Sequence, residues 1–254
     1  MIPARYASTR FPGKPLIDLH GKPMVVRVAE RAAKSSAALV VVATDDQRIA
    51  DACMHAGITV TMTRSDHATG TDRLSEVVTQ LGLPDDAVVV NVQGDEPLIP
   101  ASVIDQVAAL LRQHPGAVMA TFCHPIHNVA DAINSNVVKC VLNEASEAIY
   151  FSRAPIPYAR DAWVAGINDW PAGLPMYRHI GLYAYRASFL RKFPLLAVPA
   201  MERFEALEQL RALAHGYRIA AAVIDAPLPP GVDTPEDYQR LRERYSASGE
   251  SLFT

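Results

Sequence analysis

Three cationic residues lie close together near the start of the chain, within residues 2–16, and no acidic residue precedes Asp18. They are Arg5, Arg10 and Lys14. Positive charges held so close together repel one another unless an anion lies among them. The hydroxyl groups of Ser8 and Thr9 and the backbone N–H groups near Gly13 are donors that suit phosphate oxygens. The segment therefore favours a phosphate-binding loop, and a solvated basic loop is the alternative that charge alone leaves open.

Two aspartates, far apart in the sequence, could bind a metal ion next to those phosphates. Asp95 follows closely on the apolar run of residues 87–93, and Asp233 lies in a tight turn before the last predicted helix. Mg²⁺ prefers one or two carboxylates together with waters and substrate phosphates. Each aspartate also has a structural interpretation, because aspartate commonly caps a turn or the start of a helix. Thr234 can cap that last helix, which leaves Asp233 available for a metal.

Alternating strand and helix patterns explain how these residues could meet. The predicted strands are residues 38–44 and 87–93, and the predicted helices are residues 48–56, 71–81 and 102–113. The strands are short and β-branched, as in buried parallel strands, and Asp45 stands where an N-cap of the first helix belongs. This alternation predicts a doubly wound, mostly parallel α/β sheet. Such sheets bind ligands at the carboxyl ends of their strands, where the basic loop and Asp95 would both lie.

From about residue 117 the pattern changes from strand–helix alternation to a series of shorter strands. The predicted elements are a hairpin of residues 137–142 and 148–152, a long proline-rich loop or flap of residues 154–176, and a strand of residues 177–185. Residues 201–215 then predict a helix whose apolar face carries Phe204, Leu207 and Leu210. Together these features predict a smaller, β-rich lobe inserted into the α/β domain.

Length and composition favour one globular domain of 254 residues in a reducing compartment. Hydrophobic residues make up 50% of the chain, and the formal net charge of −3 gives no overall attraction to nucleic acid or to an anionic membrane. Three scattered cysteines are too few for a disulfide framework. No apolar run reaches the ~20 residues of a membrane span and no leader peptide precedes the loop, so we expect a cytoplasmic protein. Only residues 1–3 precede the loop, so the first strand is either cut short or continued upstream.

The basic loop is neither a Walker A sequence nor a G-x-G-x-x-G fingerprint, which removes the main support for a P-loop ATPase or a dinucleotide-dependent dehydrogenase.

Further segments follow the basic loop in a specific order: TRSDH at 63–67, GTDRL at 70–74, NVQGDEP at 91–97, YFSR at 150–153, RHIGLY at 178–183, LEQLR at 207–211 and GVDTPED at 231–237. With the loop, their order and spacing resemble the 3-deoxy-manno-octulosonate (Kdo) cytidylyltransferases over nearly the whole chain. The resemblance implies a nucleotide-diphospho-sugar transferase-like fold and transfer of CMP from CTP to Kdo, with release of pyrophosphate, for lipopolysaccharide synthesis. It also implies Mg²⁺ as the metal and a homodimer formed through the strands after residue 137.

The resemblance implies roles for individual residues as well. Those expected at the phosphates and the reaction centre are Arg5, Arg10, Lys14 and Asp95, and the expected metal ligands are Asp95 and Asp233. Those expected to contact the nucleotide are Ala4, Ser8, Thr9, Arg73 and Gln93. The sugar acid requires a cation and mixed donors and acceptors, and the residues expected to supply them are Arg153, His179, Tyr183, Glu208 and Gln209. Taken singly, such residues are more often surface or satisfied polar groups, and Arg73 would be a solvated arginine on the polar side of its helix.

On this resemblance the single domain divides into a nucleotide-binding half (1–116), a sugar-acid and dimerisation lobe (117–216) and a C-terminal return to the core (217–254). Two other functions stay open. One is a cytidylyltransferase for another sugar acid, such as N-acylneuraminate or 8-amino-Kdo, although the loop sequence ARYASTR differs from the Gly-Gly-Ser form associated with neuraminate enzymes. The other is a non-catalytic nucleotide-binding module on the same fold, which retention of the loop cations and both aspartates disfavours.

Overall fold

The computed structural model describes residues 1–7, 11–225 and 228–248, in which helices and strands alternate along much of the chain. The strands are β1 (Ile2–Ala4), β2 (Val41–Thr44), β3 (Thr59–Met62), β4 (Val88–Asn91), β5 (Ala117–Pro125), β6 (Lys139–Leu142), β7 (Ala148–Ser152), β8 (Tyr177–Arg186) and β9 (Arg218–Val223). The helices are α1 (Met24–Ala32), α2 (Gln47–His55), α3 (Gly70–Gln80), α4 (Ala101–Gln113), α5 (Val129–Ile133), α6 (Ala187–Lys192), α7 (Ala200–Glu205), α8 (Gln209–Ala214) and α9 (Pro235–Ser248). Short 3-10 helices occur at Lys14–Leu16 and Phe193–Leu195. The predicted α/β class is confirmed.

The strands form a mixed sheet in which the parallel part carries the basic loop. β1, β2 and β3 pair in parallel, and β5 pairs in parallel with β9. Met1 joins β1 to β4, because its amino group donates to Val90 O at 2.7 Å and its carbonyl accepts from Val92 N at 3.0 Å. Strand β8 pairs antiparallel with both β4 and β5. The predicted parallel sheet is therefore interrupted by the antiparallel strand β8, and the strands of segment 117–216 that belong to the sheet are β5, β6, β7 and β8.

Helices cover the sheet on two sides, as a doubly wound fold requires. One buried cluster includes Val25 and Val28 of α1 and Val107 and Leu111 of α4. The other includes Leu74 and Val78 of α3, Leu190 of α6 and Leu210 of α8. The apolar residues that recur with helical spacing in the sequence therefore face the sheet, and this packing fixes the strand ends that carry the candidate site.

The start of α2 differs from the prediction in its capping residue. Asp46, not Asp45, caps the helix, and its Oδ1 accepts a hydrogen bond from Arg48 N at 2.9 Å. Asp45 instead points to α3, where its Oδ2 lies 3.3 Å from Arg73 Nη2. The sequence offered two adjacent aspartates, and the tertiary ion pair with Arg73 decides which of them caps.

The predicted single helix of residues 201–215 is wrong, because the structure divides it into α7 and α8. Ala206 adopts a left-handed conformation with φ 51° between them, and Phe204 is 90% exposed rather than packed in the core. Of the three residues predicted to form its apolar face, Leu207 and Leu210 are buried. The interruption allows the residues after Ala206 to turn toward the sheet.

The hairpin and the long loop are confirmed. β6 and β7 pair antiparallel, and residues 154–176 contain no helix or strand. The loop is nevertheless anchored, because Trp163 is 1% exposed, packs in a cluster with Val137 and Met176, and donates from Nε1 to Asp169 O at 2.9 Å. Within the described ranges, no helix is both long and apolar enough to cross a membrane.

Candidate active site

The basic loop after β1 is closed at its base by contacts that the sequence did not indicate. Gly13 N donates to Tyr6 O at 3.0 Å, and Gly13 has a φ of 74° at a point where a Cβ would lie 3.3 Å from Tyr6 Oη. The Arg48 guanidinium lies 3.4 Å from the centre of the Tyr6 ring, which is a cation–π contact. Arg5 Nη2 donates to His67 O at 2.8 Å. These contacts fix both described ends of the loop at the carboxyl end of β1.

Three residues of the predicted phosphate-binding loop lie outside the described residues. They are Ser8, Thr9 and Arg10, and their roles at the phosphates stay predictions. Ala4 is the last residue of β1 and its side chain is buried, so its backbone is the part that could contact a nucleotide.

The structure brings Lys14 and the two predicted metal ligands together. Lys14 Nζ lies 2.6 Å from Asp95 Oδ2 and 3.2 Å from Asp233 Oδ1. The backbone fixes this meeting, because Val232 N donates to Asp95 O at 2.8 Å and a Cβ on Gly231 would lie only 3.2 Å from the same carbonyl oxygen. Two segments that are distant in sequence thus place one carboxylate each beside the ammonium group of the loop.

The predicted capping of the last helix explains why Asp233 is held at this point. Thr234 Oγ1 accepts a hydrogen bond from Asp237 N at 3.2 Å, and Asp237 Oδ2 accepts from Thr234 N at 2.9 Å. Asp237 Oδ2 also accepts from Asp233 N at 3.1 Å. Thr234 therefore caps α9 as predicted, and the Asp233 carboxylate is directed to Lys14.

Glu96 is a third carboxyl group at this place, and the sequence reasoning did not include it in the site. Burial, and then the negative charges of Asp95 and Asp233, raise its pKa to about 7. Its Oε2 is buried and has no hydrogen-bond partner among the described residues. Among the residues that the structure describes, no group of three or more His, Cys, Asp or Glu side chains is placed to hold a metal. The position of Glu96 directly after Asp95 was the signal that could have found it.

Arg73 is fully buried, which corrects the interpretation as a solvated arginine on the polar side of its helix. Its Nη1 donates to Thr63 Oγ1, and its Nη2 lies 3.3 Å from Asp45 Oδ2. Burial lowers the pKa of Arg73, and the charge of Asp45 acts in the opposite direction. Arg73 thus links α3 to the ends of β2 and β3, and its predicted contact with the nucleotide stays a prediction.

A cavity of about 300 Å³ opens at the end of β4, the strand that leads to Asp95, and five of the predicted residues line it. These are Gln93, His179, Tyr183, Glu208 and Gln209. Gln93 follows β4, the next two lie on β8, and the last two lie where α8 begins. The ring centres of His179 and Tyr183 are 5.1 Å apart, which confirms that they share one face of their strand. The cavity therefore joins residues from three distant segments.

His179 is a neutral group in the cavity, so it could offer the sugar acid a hydrogen-bond donor or acceptor rather than a positive charge. Burial lowers its pKa from 6.5 to about 3, and its Nε2 lies 3.1 Å from Thr121 Oγ1. Because the folded-state pKa lies below the unfolded value, His179 stabilises the fold fully above pH 6.5 and progressively less as pH falls toward 3. At neutral pH the ring can donate or accept hydrogen bonds without carrying a charge.

Glu208 and Gln209 form the opposite wall of the cavity. Burial raises the pKa of Glu208, while hydrogen bonds from Thr71 oppose that rise. Gln209 is 6% exposed and begins α8. Both side chains can accept hydroxyl protons, and Gln209 can also donate. Their place after the left-handed Ala206 shows that the break between α7 and α8 shapes this wall.

Arg153 does not line the cavity, although the resemblance implied a contact with the sugar acid. Its Nε donates to Glu205 O at 2.6 Å and its Nη1 donates to Ser135 O at 2.8 Å. Its backbone N–H also donates to Glu205 Oε2 at 2.9 Å. The guanidinium thus holds the end of α7, next to Ala206 in the cavity wall, and supports the wall from behind.

Comparison with known sequences assigns the chain that carries this loop, these carboxylates and this cavity to a protein family. The sequence profile of a family described as cytidylyltransferase matches residues 1–219. The chain belongs to the cytidylyltransferase family. It is therefore a nucleotidyltransferase, as its sequence predicts.

Two solved structures relate this cytidylyltransferase to known folds. The structure of a CMP:2-keto-3-deoxy-manno-octonic acid synthetase complexed with CTP is 40% identical in sequence, covers 97% of this chain and 97% of that chain, and superposes with a TM-score of 0.87. A cytidylyltransferase from Leptospira borgpetersenii serovar Hardjo-bovis (strain JB197) superposes with a TM-score of 0.63 at 17% identity, over 100% of this chain and 87% of that chain. The second similarity concerns the fold alone. The first extends over nearly the whole length of both chains.

Proposed function

We propose that this cytidylyltransferase transfers CMP from CTP to Kdo and releases pyrophosphate. The strongest support for this proposal is the path of the chain from residue 91 to residue 95. Asn91 and Gln93 line the cavity, and Asp95 contacts Lys14 of the basic loop. A site for the triphosphate and a cavity for a second substrate therefore lie next to each other at the end of one strand. The similarity to a synthetase complexed with CTP supports the same pair of substrates.

Asp95 and Asp233 fit a divalent cation, because a single ammonium group already contacts one oxygen of each carboxylate. One cation could therefore reach both. Mg²⁺ suits this donor set, since it commonly binds one or two carboxylates and completes its shell with waters and substrate phosphates. When bound, Mg²⁺ would offset the charge of the triphosphate and polarise the phosphorus under attack.

The side chains of the loop bind and orient the triphosphate in this proposal. A hydroxyl group of Kdo attacks the α-phosphorus of CTP and loses its proton to water, the bond from the α-phosphorus to the oxygen it shares with the β-phosphate breaks, and pyrophosphate leaves. Arg5 and Lys14, together with the predicted Arg10, stabilise the charge on the departing pyrophosphate. Catalysis then depends on position and electrostatics, and no covalent enzyme intermediate is required.

The cavity fits the hydroxyl groups of the sugar acid better than its carboxylate. Among the described residues that line it, there is no arginine or lysine, and His179 is neutral. Glu208 carries a carboxyl group, which would repel a second carboxylate. We infer that the hydroxylated part of Kdo enters the cavity and that its carboxylate faces the cations of the loop and the metal.

Glu208→Gln tests this orientation. The variant replaces a charged acceptor by a neutral amide, and hydrogen bonds to charged groups contribute about 1.5–3 kcal/mol, so we expect kcat/KM for Kdo to fall by roughly 10- to 100-fold. The KM for CTP should change little. The matched control is Glu144→Gln in the exposed turn after β6, which should behave as the wild type in steady-state assays. A rise in the KM for CTP alone would contradict the placement of Glu208 beside the sugar.

A pyrophosphate-release assay with CTP and Mg²⁺ tests the whole proposal. The parallel reactions contain Kdo, 8-amino-Kdo, N-acetylneuraminate or no sugar. We expect sugar-dependent release with Kdo. Release with N-acetylneuraminate alone would identify a different sugar acid. Binding of CTP without release in any reaction would support a non-catalytic module.

The remaining parts of the proposal rest on the resemblance. They are Mg²⁺ as the physiological metal, a homodimer, a cytoplasmic location and a role in lipopolysaccharide synthesis. The division of the chain at residues 116 and 216 also stays a proposal.

A further inference from the structure

Lys14 has an unusual position for a residue expected to bind phosphate. Its Nζ lies between two carboxylates, 2.6 Å from Asp95 Oδ2 and 3.2 Å from Asp233 Oδ1, and its side chain is only 13% exposed. At these distances the ammonium group forms an ion pair with each of the two carboxylates. It is therefore not directed at a ligand above the loop.

The position of this ammonium group coincides with the place that the proposed metal would take. A divalent cation shared by Asp95 and Asp233 must lie within about 2–2.6 Å of an oxygen of each. The Lys14 nitrogen, at 2.6 Å from one carboxylate and 3.2 Å from the other, takes up the same gap. The backbone contacts of Val232 and Gly231 fix the two carboxylates relative to each other, so the gap between them cannot widen freely. Two cations cannot share this gap, because they would repel each other strongly at that distance.

The surroundings favour a higher positive charge than Lys14 alone supplies. Two carboxylates meet one ammonium group, so one negative charge of the pair stays unbalanced. A divalent cation would balance this set of charges better than a lysine does. Lysine can also leave without movement of the backbone, since its four-carbon stem is flexible.

We propose that Lys14 and the divalent cation bind the Asp95–Asp233 pair in turn: the cation displaces the ammonium group, which then turns to the triphosphate. Lys14 is thus a positioning residue for the carboxylates before the metal binds and a phosphate ligand afterwards. Arrival of the metal frees the cation that the nucleotide needs. This inference rests on the proposed function in one respect, namely that Asp95 and Asp233 bind the metal.

Chemical labelling of lysine tests the exchange on the intact protein. The protein is treated with an amine-acetylating reagent, with and without Mg²⁺ and in the absence of nucleotide, and acetylation of each lysine is measured by mass spectrometry. We expect Lys14 to react several-fold faster with Mg²⁺, because the cation releases its amine from the carboxylates. The exposed Lys192 of α6 is the internal control and should react equally in both conditions. An unchanged or slower reaction at Lys14 would overturn the exchange.

Binding of Mn²⁺ alone separates failure of the exchange from failure of the metal assignment. Calorimetry compares the wild type with Asp95→Asn, Lys14→Met and Lys22→Met. We expect Asp95→Asn to lose most binding and Lys14→Met to bind about tenfold or more tightly, since no ammonium group competes. Lys22→Met removes an exposed lysine that pairs with Glu30, and its affinity should change by less than about threefold, because exposed charges are screened by solvent and salt.

The outcomes of the Mn²⁺ experiment are distinguishable. Binding that depends on Asp95 but is unchanged or weakened by Lys14→Met would overturn the exchange and leave the metal site intact. Binding that does not depend on Asp95 would overturn both the exchange and the metal assignment.

Discussion

Asp95→Asn is expected to reduce CTP- and Kdo-dependent pyrophosphate release by at least about 1,000-fold, because metal-assisted charge stabilisation contributes several kcal/mol to such reactions. The variant keeps the shape of the side chain but removes one of two charges that would hold the metal. It also removes the ion pair with Lys14 at 2.6 Å. Initial rates at saturating CTP and Mg²⁺ measure the loss, and thermal unfolding shows whether the fold is retained.

The control for this prediction is Asp85→Asn. The Asp85 side chain is 84% exposed and pairs with Arg191 at the surface, so its loss should leave the rate within a factor of two or so. Turnover of Asp95→Asn near the wild-type rate would show that this carboxylate does not hold the metal. A large loss of thermal stability in the same variant would mean that Asp95 acts mainly through the fold.

The cluster of Asp95, Asp233 and Lys14 was within reach of the sequence because each residue lies next to a feature with a topological meaning. Asp95 follows a buried strand, Lys14 closes the loop after the first strand, and Asp233 precedes a well-marked helix start. Parallel strands end at one edge of a sheet, so polar residues that follow such strands meet there. The α/β class and the position of Asp95 near the basic loop thus follow from order and spacing, whereas the pairing of Asp233 with Asp95 was implied by the family resemblance.

Arg73 and Phe204 show where the sequence pattern fails. The periodicity of residues 201–215 is compatible with one helix, and nothing local marks Ala206 as left-handed. The break depends on long-range contacts, such as that between Arg153 Nε and Glu205 O. Arg73 is likewise buried because Asp45 and Thr63 lie opposite it. A hydrophobicity pattern contains no information about such partners.

The charge states of the site also could not be predicted from residue types. His179 has a pKa of about 3 and Glu96 one of about 7, and in both cases burial is the largest cause. Burial depends on what the rest of the chain places around a group, so it becomes visible only in the folded structure. For His179 the consequence is functional, because a neutral ring can donate a hydrogen bond to the sugar acid but cannot form an ion pair with its carboxylate.

Arg211→Met is expected to destabilise the protein by about 3–5 kcal/mol, because it leaves the Glu202 carboxylate buried without its partner. Arg211 Nε lies 2.8 Å from Glu202 Oε2 and its Nη2 lies 2.5 Å from Oε1, and both residues are buried. This loss corresponds to a fall in Tm of roughly 10 °C for a chain of this size. Thermal unfolding measures it. Arg64→Met, which breaks the exposed pair with Asp66, is the control and should cost less than about 1 kcal/mol.

The ion pair also connects stability to the sugar site, because Glu202 lies on α7 and Arg211 on α8, on either side of Ala206. Arg211→Met should therefore raise the KM for Kdo at temperatures where the variant is still folded, with little change in the KM for CTP. Replacing both partners, Glu202→Met with Arg211→Met, should recover most of the lost Tm, since no unpaired charge remains buried. If the double variant recovers Tm but not the KM for Kdo, the ion pair sets the geometry of the cavity wall beyond its effect on stability. If the double variant is no more stable than Arg211→Met, the loss comes from packing against Phe193, whose ring centre lies 4.3 Å from the Arg211 guanidinium, and not from the stranded carboxylate.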